Sequence, residues 1–439
     1  MIPYQVNQGG VIAILPDGRV EVLHPSALPV LMEINEGTVD PNQIIFEDYI
    51  LSDFLVDLEN FHLNAPLIAF IETTNLCNLR CKHCYADSGY KRPNEISTEL
   101  IKQLLDEFAE MGVLQVFLTG GELFAHPNAI EIIQYARTKP FTTQIFTNGL
   151  LITEEKLAAI PPGQSFFISF DTADPERTIR GKMDFPLLRK KFDAMTRHGH
   201  IFRTAISVHR NNIQDAEEIF DWCAEHNFPR PQWLETHPIG RALLHPDIML
   251  RPSDVDEVIE VYRRCMDRYS SGPEQEDDDQ VETVGASDSR PAQSIKSLDT
   301  IKFCQRLEQA TRREKCGRSV VYVNSAGDVY PCSNCMSNEM YRAGNIKERG
   351  FKEIWRDEFK DIRKIVFDDH HICESCEVNK ANIWCQFRCP PLAKNVSLYG
   401  QGCGATDYLK EFMLRSAEYW TERSMKNIKL TLSPNKVMS

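Results

Sequence analysis

From Leu67 onward, six short apolar runs alternate with amphipathic helix patterns, and no other feature limits the fold of this chain so strongly. The runs are Leu67–Ile71, Val113–Leu118, Thr142–Phe146, Ser165–Ser169, Thr204–Val208 and Gln232–Glu235, with helical patterns near 98–111, 128–138, 153–159, 186–198 and 213–226. Strands that are apolar along their whole length are buried on both faces, and a helix after each strand carries the chain back to a parallel neighbour. The pattern predicts an α/β fold with a parallel sheet covered by helices, and six units fall short of the eight of a closed barrel.

The segments on either side read differently. Residues 1–65 predict a small α+β module: a hairpin from Val11–Leu15 and Val20–Leu23 around the turn Pro16-Asp17-Gly18-Arg19, then short helical patterns at Ala27–Glu33 and Leu51–Phe61. Residues 246–300 hold a connecting helix and a stretch rich in Ser, Gly, Pro and acid, including Glu274-Gln275-Glu276-Asp277-Asp278-Asp279, which reads as a solvated linker. A cysteine-rich region follows at 301–420, and 421–439 reads as a tail. The net charge of -14 argues against an extended nucleic-acid footprint. There is no run of about 18 apolar residues and no export signal at the N-terminus, so the expectation is a cytoplasmic protein with neither nucleic-acid nor membrane partners.

Fourteen cysteines in such a chain point to metal or redox use rather than disulfides. Cys223 and Cys265 stand alone in helical segments and read as buried structural thiols. Cys77, Cys81 and Cys84 lie within eight residues, in the loop after the first barrel strand. A loop can wrap three thiolates around one centre, and an iron–sulfur cube held by three cysteines keeps one iron open for another ligand. A structural zinc site would call for a fourth Cys or His, and His83 is wedged too tightly between its neighbours to serve.

The spacing Cys-x3-Cys-x2-Cys resembles that of the radical S-adenosylmethionine (radical SAM) enzymes. The likeness extends to Thr119-Gly120-Gly121-Glu122 after the second strand, Thr147-Asn148-Gly149 after the third and Ile168-Ser169-Phe170-Asp171 after the fourth. These lie at strand C-terminal ends, where parallel sheets bind ligands. The resemblance implies a partial (β/α)6 TIM-type barrel over residues 66–245. It implies that Cys77, Cys81 and Cys84 hold a 4Fe–4S cluster, and that Gly120, Gly121 and Glu122 take the amino group of S-adenosylmethionine. It also implies that Asn148, Ser169 and Asp171 face the carboxylate and ribose, with His83 and Tyr85 shielding the cluster near the adenine. One electron from the cluster would then cleave the sulfonium, and the 5'-deoxyadenosyl radical would take a hydrogen from substrate. No residue is singled out as a catalytic acid or hydrogen donor.

Cys316, Gly327-x4-Cys332, Cys373-x2-Cys376, Cys385-x3-Cys389 and Cys403 make a second ordered set. It resembles the SPASM domain, a C-terminal extension carrying two auxiliary 4Fe–4S clusters. Gly344-Asn345-Ile346 and Trp355 look like the linker segment of that domain. One spacer departs from the family pattern: Glu377 to Trp384 is eight residues rather than five. The resemblance implies an outer cluster on Cys373, Cys376, Cys385 and Cys403. It implies an inner one on Cys316, Cys332 and Cys389, with Cys304 as fourth ligand, Cys335 as its competitor and an open inner cluster as a third option.

Proteins of this type act chiefly on peptides. The resemblance therefore implies a maturase of a ribosomally made precursor peptide, with three 4Fe–4S clusters, S-adenosylmethionine and an external reductant such as flavodoxin or ferredoxin. A formylglycine-forming sulfatase maturase and a small-molecule radical dehydrogenase are alternatives, and a non-catalytic iron–sulfur scaffold is a remote one. The N-terminal module looks faintly like a leader-peptide-binding domain that works by strand addition; a structural cap over the barrel bottom is the competing reading.

Overall fold

The computed structural model describes the chain apart from residues 8–9, 51–62, 173, 175, 182, 184, 270–302, 305–315, 337, 361–362, 364–374, 382–384, 386–404 and 432–439. The second helical pattern of the N-terminal module, the acidic linker, Cys373, Cys389 and Cys403 therefore lie outside the described residues.

Six parallel strands form the centre of the molecule: β4 (Ile68–Glu72), β5 (Gln115–Thr119), β6 (Thr142–Thr147), β7 (Ser165–Ser169), β8 (Ile201–Val208) and β9 (Gln232–Glu235). Each pairs in parallel with the next, as expected. Between them run α2 (Thr98–Met111), α3 (Ala129–Ala136), α4 (Glu154–Ala159), α5 (Phe185–Arg197) and α6 (Asp215–Glu225), and α7 (Val255–Arg268) follows β9. The first of the covering helices shows why the sequence makes them: α2 is started by the Ser97 hydroxyl on the Leu100 N–H and buries Ile101, Leu104, Leu105 and Phe108.

Alternation along β4 sorts the two faces. Ala69 and Ile71 pack outward with Leu104, Leu105 and Phe108, whereas Phe70 turns inward and stacks on Phe117 at 4.5 Å. Phe146 and Phe167 continue that inner aromatic layer.

The cysteine-rich region does not stand apart from this sheet. Its hairpin β10 (Val320–Val323) and β11 (Asp328–Tyr330), with the short β12 (Gly344–Asn345), extends the sheet to nine strands in the order β12-β11-β10-β4-β5-β6-β7-β8-β9. Strand β10 lies parallel to β4, so Tyr322 stands beside Phe70 inside the barrel. Helix α8 (Phe351–Asp357) ties the same region to the barrel surface. Its Phe351 meets Phe108 edge-on at 4.8 Å, and the Trp355 indole donates to the Leu63 carbonyl at 3.1 Å. After the short α9 (Glu377–Lys380), the last helix, α10 (Asp407–Thr431), carries on beyond residue 420, where the sequence suggests a tail. Its Phe412, Tyr419 and Trp420 pack against Tyr262 of α7.

The N-terminal module has three strands rather than two: β1 (Tyr4–Asn7), β2 (Gly10–Ile14) and β3 (Val20–Leu23), followed by α1 (Leu28–Glu36). One face of this sheet, with Val11, Ala13, Leu15 and Leu23, packs on Leu31 and Ile34 of α1. The other face, with Ile12, Ile14, Val20 and Val22, packs on Leu67, Ile68, Leu114 and Val320 at the N-terminal end of the barrel strands. The module plugs the barrel bottom, which is the capping arrangement. Among the described residues no helix is long and apolar enough to cross a membrane.

Candidate active site at the strand C-terminal ends

The cysteine loop begins where β4 ends. Thr73 donates its backbone N–H to the Thr119 carbonyl at 2.9 Å, and Glu95 holds the next turn by accepting from the Thr74 hydroxyl and the Asn75 N–H. The following loop places Cys77, Cys81 and Cys84 over the C-terminal ends of the strands. The Leu79 N–H points at the Cys77 sulfur at 3.3 Å, and the Ser88 N–H at the Cys84 sulfur at 3.4 Å. Burial pushes the Cys77 thiol up to about 12 and raises Cys81 as well; on Cys81 the nearby Arg180 works in the opposite direction. These thiols lose their protons only to something that repays the charge, as a metal centre does.

Among the described residues no three His, Cys, Asp or Glu side chains converge on a single-ion site. An iron–sulfur cube spreads its ligands over separate corners, and the three thiols are close enough that Cys81 and Cys84 both act electrostatically on Cys77. Three thiols on one loop, with backbone N–H groups already directed at sulfur, are a donor set that fits such a cluster.

The Gly-Gly-Glu turn packs directly on this loop. Gly121 donates its N–H to the Thr74 carbonyl at 2.7 Å, and Glu122 to the Leu76 carbonyl at 2.9 Å. A Cβ on Gly120 would stand 2.5 Å from the Thr74 oxygen, and one on Gly121 2.5 Å from the Leu76 oxygen. The two glycines therefore let the strand turn and the cysteine loop touch backbone to backbone. The Glu122 carboxylate is buried and accepts from the Thr147 hydroxyl at 2.7 Å, the Asn148 N–H at 2.8 Å and the Phe124 N–H at 3.1 Å. Burial raises its pKa against those three donors. A carboxylate has about four lone-pair sites, so one remains for an ammonium group. Asn148 carries the fastening onward: its amide donates to the Asn78 side chain at 2.8 Å and comes within 4.0 Å of the Cys77 sulfur.

Ser169, half-buried, ends β7. Asp171, two residues on, is engaged inside the protein. It forms a two-pronged ion pair with Arg180, one arm at 2.9 Å, and accepts the Ser207 N–H at 2.8 Å. Burial opposes its charge, yet the Arg180 guanidinium holds the Asp171 carboxyl below the usual range. His83 lies against this pair. Its Nδ1 is buried with no hydrogen-bond partner, and burial lowers its pKa to about 3, so the ring is a neutral wall beneath the loop. Tyr85 stands at the mouth, 38% exposed, with its hydroxyl 3.5 Å from that of Tyr322.

A family model described as the radical SAM superfamily matches residues 71–230. The chain is a radical SAM protein. A second model, the SPASM iron–sulfur cluster-binding domain, matches residues 315–377 of this radical SAM protein. The antilisterial bacteriocin subtilosin biosynthesis protein AlbA of Bacillus subtilis is 33% identical over 194 residues, spanning 41% of this chain and only 42% of its own length. The mycofactocin maturase MftC of Mycobacterium tuberculosis is 27% identical over 319 residues, 69% of this chain and 74% of that one. Among solved structures, Streptococcus suis SuiB bound to S-adenosylmethionine superposes with a TM-score of 0.63 at 15% identity, covering 90% of this chain and 95% of that chain. That likeness is one of fold.

In the SPASM region the thiols of Cys332 and Cys335 lie 3.7 Å apart. Cys304 packs with Phe303 and Val320 against the capped end of the barrel, and Cys316 makes a β-bridge to the same Val320. Cys376 and Cys385 border the main core. Two residues outside the sequence motifs are brought to the cysteine loop by the fold, Arg180 and Arg241, and a third, Glu72, lies buried at the end of β4. The only signal for Arg241 is a Gly-Arg pair soon after the last parallel strand.

Proposed function

We propose that this radical SAM enzyme matures a ribosomally made precursor peptide by a radical-derived change such as a crosslink, an epimerisation or a backbone excision. One observation carries the chemistry: the ends of β5, β6 and β7 supply Glu122, Asn148 and Asp171 around a single loop bearing three thiols. Bound to that loop, a cluster and S-adenosylmethionine would supply a 5'-deoxyadenosyl radical able to take a hydrogen from an unactivated carbon.

The chain's own part is positioning and exclusion of water. Glu122 and the turn that holds it offer acceptors to a cationic amine, and the Asp171–Arg180 pair fixes the floor beneath Cys81. The inner layer of Phe70, Phe117, Phe146 and Phe167 keeps the barrel interior apolar, which protects a radical from solvent.

The peptide substrate rests on the relatives. The first relative is named for bacteriocin biosynthesis and the second as a maturase, the match to the second covers 69% of this chain, and SuiB has also been solved with its precursor peptide SuiA. In this reading Cys77, Cys81 and Cys84 hold the first cluster. Cys373, Cys376, Cys385 and Cys403 hold the outer auxiliary cluster, and Cys316, Cys332 and Cys389 the inner one. Cys335, adjacent to Cys332, has the stronger claim over Cys304 to be its fourth ligand. Flavodoxin or ferredoxin supplies the electron, and the N-terminal sheet, besides capping the barrel, offers an edge strand to the leader of the peptide.

The test is anaerobic incubation of the reconstituted enzyme with the short peptides encoded beside its gene, read by mass spectrometry. A mass change in one of them that depends on S-adenosylmethionine and dithionite supports the reading. Cofactor cleavage with no change in any peptide, together with turnover of a small molecule, would replace it by the dehydrogenase alternative.

A further inference from the structure

Arg241 lies far along the chain from the cysteine loop, in the turn Gly240–Leu244 that follows β9, yet it is only 7% exposed and is spent entirely on that loop. Its Nε donates to the Asp87 carboxylate at 2.8 Å, one terminal nitrogen donates to the Cys81 carbonyl at 2.7 Å, and the other to the Ser88 carbonyl. Its backbone N–H donates to the Cys84 carbonyl at 2.9 Å. Two of the four acceptors are carbonyls of the cysteines themselves.

The residue before it makes the contact feasible. Gly240 has φ +57°, and a Cβ there would stand 2.3 Å from the Tyr85 carbonyl oxygen and 2.6 Å from that of Cys84. A side chain at this position is excluded twice, by the left-handed backbone and by the loop it touches. On its other flank the loop is held by residues 179–180: the Lys82 N–H donates to the Ile179 carbonyl at 2.8 Å, and the Cys81 thiol meets the Arg180 carbonyl at 3.8 Å. The segment from Cys81 to Ser88 is thus pinched between the turn after β7 and the turn after β9.

We propose that Arg241 is a positioning residue for the three-cysteine loop, fixing Cys81 and Cys84 in the register that receives the cluster before the cluster arrives. The planar fork is essential to this role, because its nitrogens serve three acceptors that point in different directions. A lysine at the same place would keep the charge but gather its donors on one nitrogen, without the spread that reaches all three acceptors. The buried guanidinium also sets a fixed positive charge beside a centre that carries net negative charge when loaded, so the arginine acts on the electronics of the site as well as on its shape. The proposal rests on the reading that this loop holds a cluster, but the clamp itself is a property of the protein.

The experiment follows alkylation of individual cysteines by mass spectrometry in the full-length chain before iron is added, for wild type, R241Q, R241K and G240A, with R264Q as a comparison at an exposed ion-paired arginine. Cys223 and Cys265, fully buried in the core, report global unfolding in the same sample. Losing hydrogen bonds from a charged donor predicts alkylation of Cys81 and Cys84 about tenfold faster or more in R241Q and G240A, with R241K between them and wild type, while Cys223 and Cys265 stay protected. After reconstitution, R241Q should hold less iron in the first site, and its electron paramagnetic resonance signal should lose the change that S-adenosylmethionine produces in wild type.

Where R241Q unfolds and labels all its cysteines, R241K and G240A decide. Wild-type labelling rates at Cys81 and Cys84 in folded R241K and G240A overturn the proposal. A wild type that takes up no iron on the loop, with the labelling differences intact, would leave the clamp standing and remove the cluster reading instead.

Discussion

The Glu122 carboxylate accepts the Thr147 hydroxyl at 2.7 Å, so the acid of the Gly-Gly-Glu turn at the end of β5 is fastened to the end of β6. The same hydroxyl oxygen accepts the Gly149 N–H at 3.0 Å, and Thr147 is buried. T147V keeps the shape and removes both bonds, leaving a buried carboxylate one donor short. It should cost about 1–3 kcal/mol of stability and weaken S-adenosylmethionine binding, while T147S restores both. Thermal unfolding and calorimetric titration of the cluster-loaded variants check this. A T147V protein that binds the cofactor like wild type would show that Glu122 needs no such support.

Asp171 and Arg180 form a buried pair, and removing one partner of such a pair leaves the other charge uncompensated. D171N should therefore destabilise the chain by about 3–5 kcal/mol, with loss of iron at the neighbouring loop. The exposed pair of Arg197 and Glu154 offers the contrast, since water and salt screen it and E154Q there should change stability little. Equal effects in urea unfolding would contradict the assignment of Asp171 to the floor of the site.

Glu72, the last residue of β4, is buried, with one oxygen accepting the Ser325 hydroxyl at 3.0 Å and the other unpartnered. Burial raises its pKa from 4.5 to about 7. The folded chain thus holds this proton more tightly than the unfolded chain does. The stability tied to it is complete below about pH 4.5 and is lost as the pH rises through 7, a change of about 3 kcal/mol. E72Q cannot ionise, so its melting temperature relative to wild type should rise between pH 5 and pH 8. Parallel curves for the two proteins would place the titration elsewhere.

The N-terminal sheet sets Ile12, Ile14, Val20 and Val22 on the barrel bottom. Deleting residues 1–62 should expose Ile68, Leu114 and Val320, lower solubility and impair cofactor cleavage as well as peptide binding. A soluble truncation that cleaves S-adenosylmethionine normally and has lost only the peptide would make the module a pure leader dock.

The barrel was legible because its strands are apolar along their whole length and its helices are amphipathic, two local signals that agree with the final packing. All six strands and five helices fall where the pattern puts them. Strand β1 was missed because Gln5 breaks its apolar character. That side chain is buried only because its amide donates to the carbonyls of Ala65 and Gly112, partners remote in sequence. The addition of β10 to β4 was hidden for the same reason, since nothing in Val320–Val323 names its distant neighbour. In the site, residues carried by a motif were readable, and lone charges were not. Arg241 and Arg180 gain their meaning from carbonyls and a carboxylate that only the fold brings near. Asp171 follows β7, but its carboxylate is taken up by Arg180, nine residues further on, a pairing with no signature in the sequence.

In the proposed function, the loop of Cys77, Cys81 and Cys84 holds the cluster that opens S-adenosylmethionine. The direct measurement is 5'-deoxyadenosine formation, with iron counted in the same samples, for anaerobically reconstituted wild type and C81A reduced by dithionite. Wild type should give about twelve iron atoms and steady 5'-deoxyadenosine, against about eight iron atoms and none of that product from C81A, whose auxiliary clusters remain. Cleavage that survives in C81A, or a wild type that binds zinc in place of iron, would contradict it.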